Sequence, residues 1–191
     1  MAVLMLLYTG LRQGELLGLP WSNVRINHNG NSYIMITQAL VRTRNPDTNA
    51  PLRTLLLITP PKTQHSIRTI PLLPKIAERL EEYRRIQAEY LAENHLPNIG
   101  LVFTATNGKE YDPRDFQRDF NNLLKRHNIR EIGVHGLRHS FATRSLQNGM
   151  SVKTLSAILG HNSCAFTMDV YCHIDQDIAA AELNCLNGLL E

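Results

Sequence analysis

The amino-acid sequence predicts an α+β domain that is mainly α-helical: a helical bundle carrying one small, three-stranded antiparallel sheet. Three observations carry this. Apolar residues recur at 3–4 spacing through most of the chain from Pro74 onward, and again in the opening stretch. Short β-like runs bounded by turn residues cluster in the segment between Val24 and Leu73. The length of 191 residues, with 43% hydrophobic and 19% charged residues, suits one ordinary soluble globular domain and argues against disorder.

Taken in order, AVLMLLYTGLRQGELLGL has helical apolar spacing, and Gly10 marks a break between two helical pieces. The opening stretch lacks the basic start of a signal peptide and leads straight into a charged helical pattern, so it reads as a core helix. SNVRINHNGNSYIMITQA reads as two strands joined by the turn NHNGNS. RTRNPDTNAPLRT, aperiodic and rich in turn residues, reads as a loop. LLLITPPKTQHSIRTIPL then predicts a strand, a turn around Pro60 to Gln64, and another strand, which together with the preceding pair suggests a sheet of about three strands.

LPKIAERLEEYRRIQAEYLAEN is a strong amphipathic helix, with Pro74 in its first turn and Ile76, Leu80, Tyr83 and Ile86 as its apolar stripe. LVFTAT is a short strand or extended piece and NGKEYD a turn. A helix capped by Asp112 follows at Pro113. GLRHSFATRSLQNG is helical up to Gly149. SVKTLSAILGHN is a helix capped by Ser151 and stopped at Gly160. SCAFTMDVYCHI and IAAAELNCLNGLL predict two more helices.

The charge is uneven. All 20 Lys and Arg lie between Arg12 and Lys153 with 12 of the 17 Asp and Glu, so that stretch carries +8 and the remaining tail −5. A basic body suits a polyanion such as nucleic acid, whereas an acidic, apolar tail suits packing on protein. Three cysteines without a CxxC pair indicate neither a disulfide framework nor a zinc ribbon, which fits a reducing, cytoplasmic setting. No apolar run approaches the roughly 20 residues needed to cross a bilayer, so no membrane partner is expected.

Several polar residues stand out. His135 and Arg138 lie three apart at a helix start, where free N–H groups and the helix dipole favour an anion. The plainer alternative is a surface arginine and a capping histidine. His135, His139, His161 and Cys164 have zinc-ligand spacing, but an arginine inside the His pair opposes a cation there. Arg12 sits in a glycine-flanked apolar segment and needs a partner, either Glu15 or a bound anion. Lys62 stands at or beside a hairpin tip, able to reach over a groove or simply to be solvated. His161 follows the helix stop Leu-Gly, and Tyr171 comes ten residues later.

Taken together, the order Arg12, Lys62, His135-x-x-Arg138, His161, Tyr171 resembles the tyrosine recombinase (phage integrase) family. YTGLRQGELLGLPWSNV is similar to its first box, KTQHSIRTIPL to its lysine-bearing hairpin, and HGLRHSFATRSLQNGMSVKTLSAILGHNSCAFTMDVYCHI to its second box. The resemblance implies the catalytic fold of that family and a site-specific recombinase of a mobile element. Tyr171 would attack a DNA phosphodiester and form a 3′-phosphotyrosyl link, with neither metal nor cofactor. Arg12 and Arg138 would clamp the non-bridging oxygens and His161 would add a hydrogen bond. His135 would act as base, Lys62 would protonate the leaving 5′-oxygen, and Glu15 would orient Arg12.

The resemblance further implies residues 1–176 as the catalytic domain, its first helix truncated, and 177–191 as a helical tail that docks in trans through Ile178, Leu183, Leu186 and Leu190. Only eleven residues precede Arg12, so N-terminal DNA-binding domains are expected to be absent from this chain. The expected partner is a double-stranded DNA recombination site bound by a homotetramer, the fragment alone being monomeric. The rival reading is a non-catalytic helix-turn-helix regulator built on SVKTLSAILGHNSCAFTMDVY. It is weakened by the lack of any Lys or Arg after Lys153, and it leaves Arg12 and Lys62 without a use.

Overall fold

Helix α1, Ala2–Thr9, ends where the sequence places a break: Gly10 adopts φ 63°, and its N–H donates to the Leu6 carbonyl at 3.1 Å. A Cβ at Gly10 would lie 2.4 Å from Phe141 Cδ1 and 2.7 Å from Leu159 Cδ2, so both conformation and space require glycine. In the computed structural model, residues 1–47, 51–60 and 66–160 are described. Helix α2, Gln13–Leu17, follows, and a 3-10 turn at Trp21–Asn23 leads into the strands.

Strands β1 (Val24–Arg25), β2 (Tyr33–Ile36) and β5 (Arg68–Pro71) form a three-stranded antiparallel sheet in the order β1-β2-β5. Its register sets Val24 opposite Ile34, and Ile36 opposite Arg68. The expected sheet is therefore present, with two corrections. Residues 39–44, partly read as loop, form strand β3 (Ala39–Arg44), which pairs along its length with β4 (Thr54–Thr59) in a separate ribbon. The strands flanking the expected turn around Pro60 to Gln64 do not pair with each other: β4 joins β3 and β5 joins β2. The stretch ALVRTR carries no clean alternation, because its strand character comes from its partner TLLLIT rather than from its own pattern. Leu40 and Leu56 on the ribbon face the core, and Arg42 pairs with Asp112.

Helix α3, Pro74–Glu93, has Pro74 in its first turn and buries Ile76, Ala77, Leu80, Gln87 and Leu91. The expected stripe residue Ile86 is exposed, and Gln87 replaces it inside. The polar side chain is needed there: Trp21 Nε1 donates to Gln87 Oε1 at 2.7 Å, and Gln87 Nε2 donates to the Leu101 and Val102 carbonyls. The LVFTAT segment is extended, held by isolated bridges of Leu101 to Pro20 and Thr104 to Glu110.

Helix α4, Pro113–Arg126, is capped by Asp112, which accepts from Arg114 N at 2.9 Å. Helix α5, Val134–Gln147, ends before Gly149 at φ 82°. Helix α6, Val152–Leu159, is capped by Ser151, which accepts from Thr154 N, and stops at Gly160 with φ 65°. The main core gathers Met5, Leu6, Leu16, Leu17, Ile34 and Leu80 from α1, α2, the sheet and α3. A satellite cluster of Ala142, Leu155 and Leu159 joins α5 to α6. That packing brings the ends of α1 and α6 together, and the candidate site is built on them. Among the described residues no helix is long and apolar enough to cross a membrane.

Candidate active site

Arg12 is the N-cap of α2, and Glu15 stands at its third position, the spacing of a capping box. Glu15 Oε2 accepts the Arg12 backbone N–H at 2.9 Å, and Oε1 accepts Arg12 Nη1 at 2.8 Å. The partner demanded by Arg12 is thus Glu15, as one of the two sequence alternatives held. Glu15 has a second partner that the sequence reading did not single out. Arg68, on β5, donates Nη1 to Oε1 at 3.0 Å and Nη2 to Oε2 at 2.8 Å. Four donors saturate this carboxylate.

The side chains of Glu15 and Arg68 are 7% and 6% exposed, while that of Arg12 is 41% exposed. The inner two members of the triad hold the network and the outer one faces solvent. Burial alone would push the Glu15 carboxyl up. The hydrogen bond and charge of Arg68, then the backbone hydrogen bond and charge of Arg12, outweigh it and hold the group below its ordinary value of 4.5. A depressed carboxylate contributes stability that is fully present above 4.5 and is lost as pH falls through the lower folded value. Glu15→Gln is therefore expected to cost roughly 3 kcal/mol near neutrality, since it leaves two guanidinium groups without their anion. The gap between its urea midpoint and that of the natural chain should close as the pH is taken below 4.5.

Arg138 lies one turn into α5 and is 4% exposed, which rules out the surface-arginine alternative. Its Nη1 donates to the Gly10 carbonyl at 2.7 Å and its Nη2 to the Leu159 carbonyl at 2.8 Å. Both acceptors belong to helix C-termini, whose last carbonyls lack intrahelical partners and whose dipole ends favour a cation. Arg12 reaches the same end of α6, with Nη2 3.4 Å from the Gly160 carbonyl. Two guanidinium groups encoded 126 positions apart thus meet on consecutive carbonyls of one helix end.

His135 occupies the first turn of α5 and is exposed. Its imidazolium is disfavoured by partial burial first, then by the charges of His139, Arg138 and Arg12. The His135 and His139 rings meet edge to face, with centroids 4.9 Å apart. The structure thus brings Arg12 and Arg138 together at the C-terminus of α6, with Glu15 holding Arg12 and His135 three residues before Arg138 on α5. Lys62, His161 and Tyr171 lie outside the described residues, as do the zinc-spacing Cys164 and the two C-terminal helices read from the sequence. Arg68 had one available signal: period 2 in SIRTIPL places it in phase with the buried Ile70.

Comparison with known proteins agrees with this architecture. The family model described as Phage integrase family matches residues 1–177. A tyrosine recombinase XerC-like protein of Caldanaerobacter subterraneus subsp. tengcongensis is 31% identical over 187 residues, covering 95% of this chain and 47% of that protein. The transposase from transposon Tn916 of Enterococcus faecalis is 30% identical, covering 97% of this chain and 44% of that protein. The chain spans about half the length of these relatives. Among solved structures, the Tn1549 transposon integrase in complex with transposon right end DNA matches at TM-score 0.72 and 28% identity, over 97% of this chain and 57% of that one. XerA recombinase shares the fold at TM-score 0.65 and 23% identity. The helix-rich architecture with small antiparallel sheets is the catalytic-domain fold of the tyrosine recombinases, and the chain belongs to the phage integrase family.

Proposed function

We propose that the intact protein carrying this chain is a site-specific recombinase of a mobile element, cutting and rejoining double-stranded DNA without a metal or cofactor. The observation that carries this reading is the convergence of Arg12 and Arg138 on the C-terminus of α6, directly before His161 and on the path to Tyr171.

The chemistry explains why these residue types are needed. Tyr171 Oη attacks the scissile phosphorus, the bond to the 5′-oxygen breaks, and a 3′-phosphotyrosyl link forms. A phenol of ordinary pKa near 10 is only about 0.1% ionised at neutral pH, a deficit of roughly 4 kcal/mol. His135 takes the phenolic proton, and nearby cations favour the developing phenolate. Charge accumulates on the non-bridging oxygens as the fifth oxygen adds. Two preorganised planar forks, Arg12 and Arg138, suit that charge, and His161 adds a further donor. Lys62 delivers a proton to the departing 5′-oxygen. A second 5′-hydroxyl then attacks the phosphotyrosyl link and restores the tyrosine.

Residues 1–176 serve as the catalytic domain. On DNA the protein acts in the cytoplasm as a homotetramer, with the acidic tail 177–191 docked on a neighbouring protomer, whereas the 191-residue chain alone is monomeric. Deleting 177–191 should therefore reduce self-association of the intact protein.

The test is a suicide substrate nicked near the scissile phosphate, run with EDTA on a denaturing gel. A covalent protein–DNA band supports the reading, and its absence from the intact protein contradicts it. The pH profile of the same reaction tests His135. Protonation removes the base, so cleavage should fall as pH drops through a value below 6.5, the ordinary imidazole pKa. An acidic limb centred above 6.5 would contradict that role.

A further inference from the structure

We infer that Arg68 is a positioning residue for strand cleavage: one buried guanidinium locks the Arg12 clamp and the end of α6 into a single geometry. This rests on the recombinase reading above and adds to it a residue that touches no reacting atom.

Each guanidinium nitrogen of Arg68 has a defined acceptor. Nη1 and Nη2 grip Glu15, whose carboxylate in turn holds both the backbone N–H and a guanidinium nitrogen of Arg12. Nε donates to the Ile158 carbonyl at 2.5 Å, within the last turn of α6, two residues before Gly160 and three before His161. Nη1 also reaches the Ser66 carbonyl at 3.2 Å, four residues beyond Lys62. Gly160 packs on this group: a Cβ there would lie 3.1 Å from Arg68 Cδ and Nη1.

The Arg12–Glu15 pair and the end of α6, far apart in the sequence, therefore share one buried side chain. Arg12 is the exposed member of the triad and would swing among rotamers without Glu15. Glu15 is fixed from the other side by the bidentate Arg68 pair. A lysine at position 68 keeps the charge, yet one ammonium cannot reproduce a planar fork that serves both carboxylate oxygens and a carbonyl on a third side. Misplacement of a clamp by about 1 Å costs a rate of order 10²-fold.

The experiment uses the intact protein and the suicide substrate, with single-turnover cleavage measured at saturating DNA beside DNA affinity and thermal midpoint. Arg68→Lys should retain DNA affinity and a folded transition while cleaving about 10²-fold more slowly. In a kinetic cycle, Arg68→Lys should cost less in the Arg12→Ala background than in the natural one, because part of the effect of Arg68 passes through Arg12. Wild-type rates for Arg68→Lys and Arg68→Met, or losses that multiply independently with Arg12→Ala, would overturn the inference. If Arg68→Met does not fold, Glu15→Gln takes its place in the same cycle with the same expectation. Failure of the unaltered protein to form any covalent adduct would instead overturn the recombinase reading itself. That outcome is separate from a protein that cleaves but is indifferent to position 68.

Discussion

Arg138→Ala is expected to slow strand cleavage by about 10²–10³ or more and to weaken the fold at the same time. The side chain is 4% exposed and donates to the C-terminal carbonyls of two helices, Gly10 after α1 and Leu159 at the end of α6. Its removal orphans both acceptors, each at roughly 1–3 kcal/mol, and lets the α1–α6 junction loosen. The catalytic loss adds to this, because removing one preorganised donor from a developing oxyanion costs about 10²–10³ in rate. Arg138→Lys separates the two effects. An ammonium can keep a cation at the helix ends, so the thermal midpoint should recover in part. It cannot hold two carbonyls and grip a phosphate in the plane of a fork, so cleavage should stay low. A lysine variant that recovers cleavage in step with stability would make Arg138 a structural group only. Thermal denaturation and single-turnover cleavage on the same preparations decide between these.

Tyr171→Phe carries the other large expectation: complete loss of the covalent band with DNA binding retained. The substitution removes one oxygen and nothing else, and no other side chain in the proposed scheme forms a bond to phosphorus. A slow residual adduct would point to a substitute nucleophile. Cys172 is the adjacent candidate, and a Tyr171→Phe/Cys172→Ala pair distinguishes it. Affinity for the nicked substrate, measured by gel shift beside the denaturing gel, shows that the lost band is a failure of chemistry.

What could be read in the sequence was what local chemistry decides. Gly10, Asp112, Pro74, Ser151 and Gly160 bound their helices through φ preference and capping hydrogen bonds, which depend on neighbours within a turn, and each stands where it was expected. Arg12, Glu15, His135 and Arg138 were singled out by residue type and order, and the fold brings them to one place. What escaped depends on long-range partners. Strand β3 is a strand because β4 lies beside it. Gln87 is inside because Trp21 and two extended carbonyls lie opposite it, and it displaces Ile86 from the buried stripe. Beyond its phase with Ile70, Arg68 carries no local sign of its role, because an arginine in a short strand ordinarily faces water. Its burial follows from a carboxylate 53 positions away. The tie that Arg138 makes between two helix ends likewise depends on carbonyls remote in the sequence.

The chemical identity of one bond decides whether Tyr171 is the nucleophile. The intact protein should be reacted with a nicked substrate in EDTA, the adduct digested with protease and nuclease, and the nucleotide-bearing peptide sequenced by mass spectrometry. The predicted result is a single modified peptide carrying a nucleotide through its 3′-phosphate on the oxygen of Tyr171. A nucleotide on any other residue, or one linked through a 5′-phosphate, would contradict the proposed nucleophile and the direction of strand cleavage.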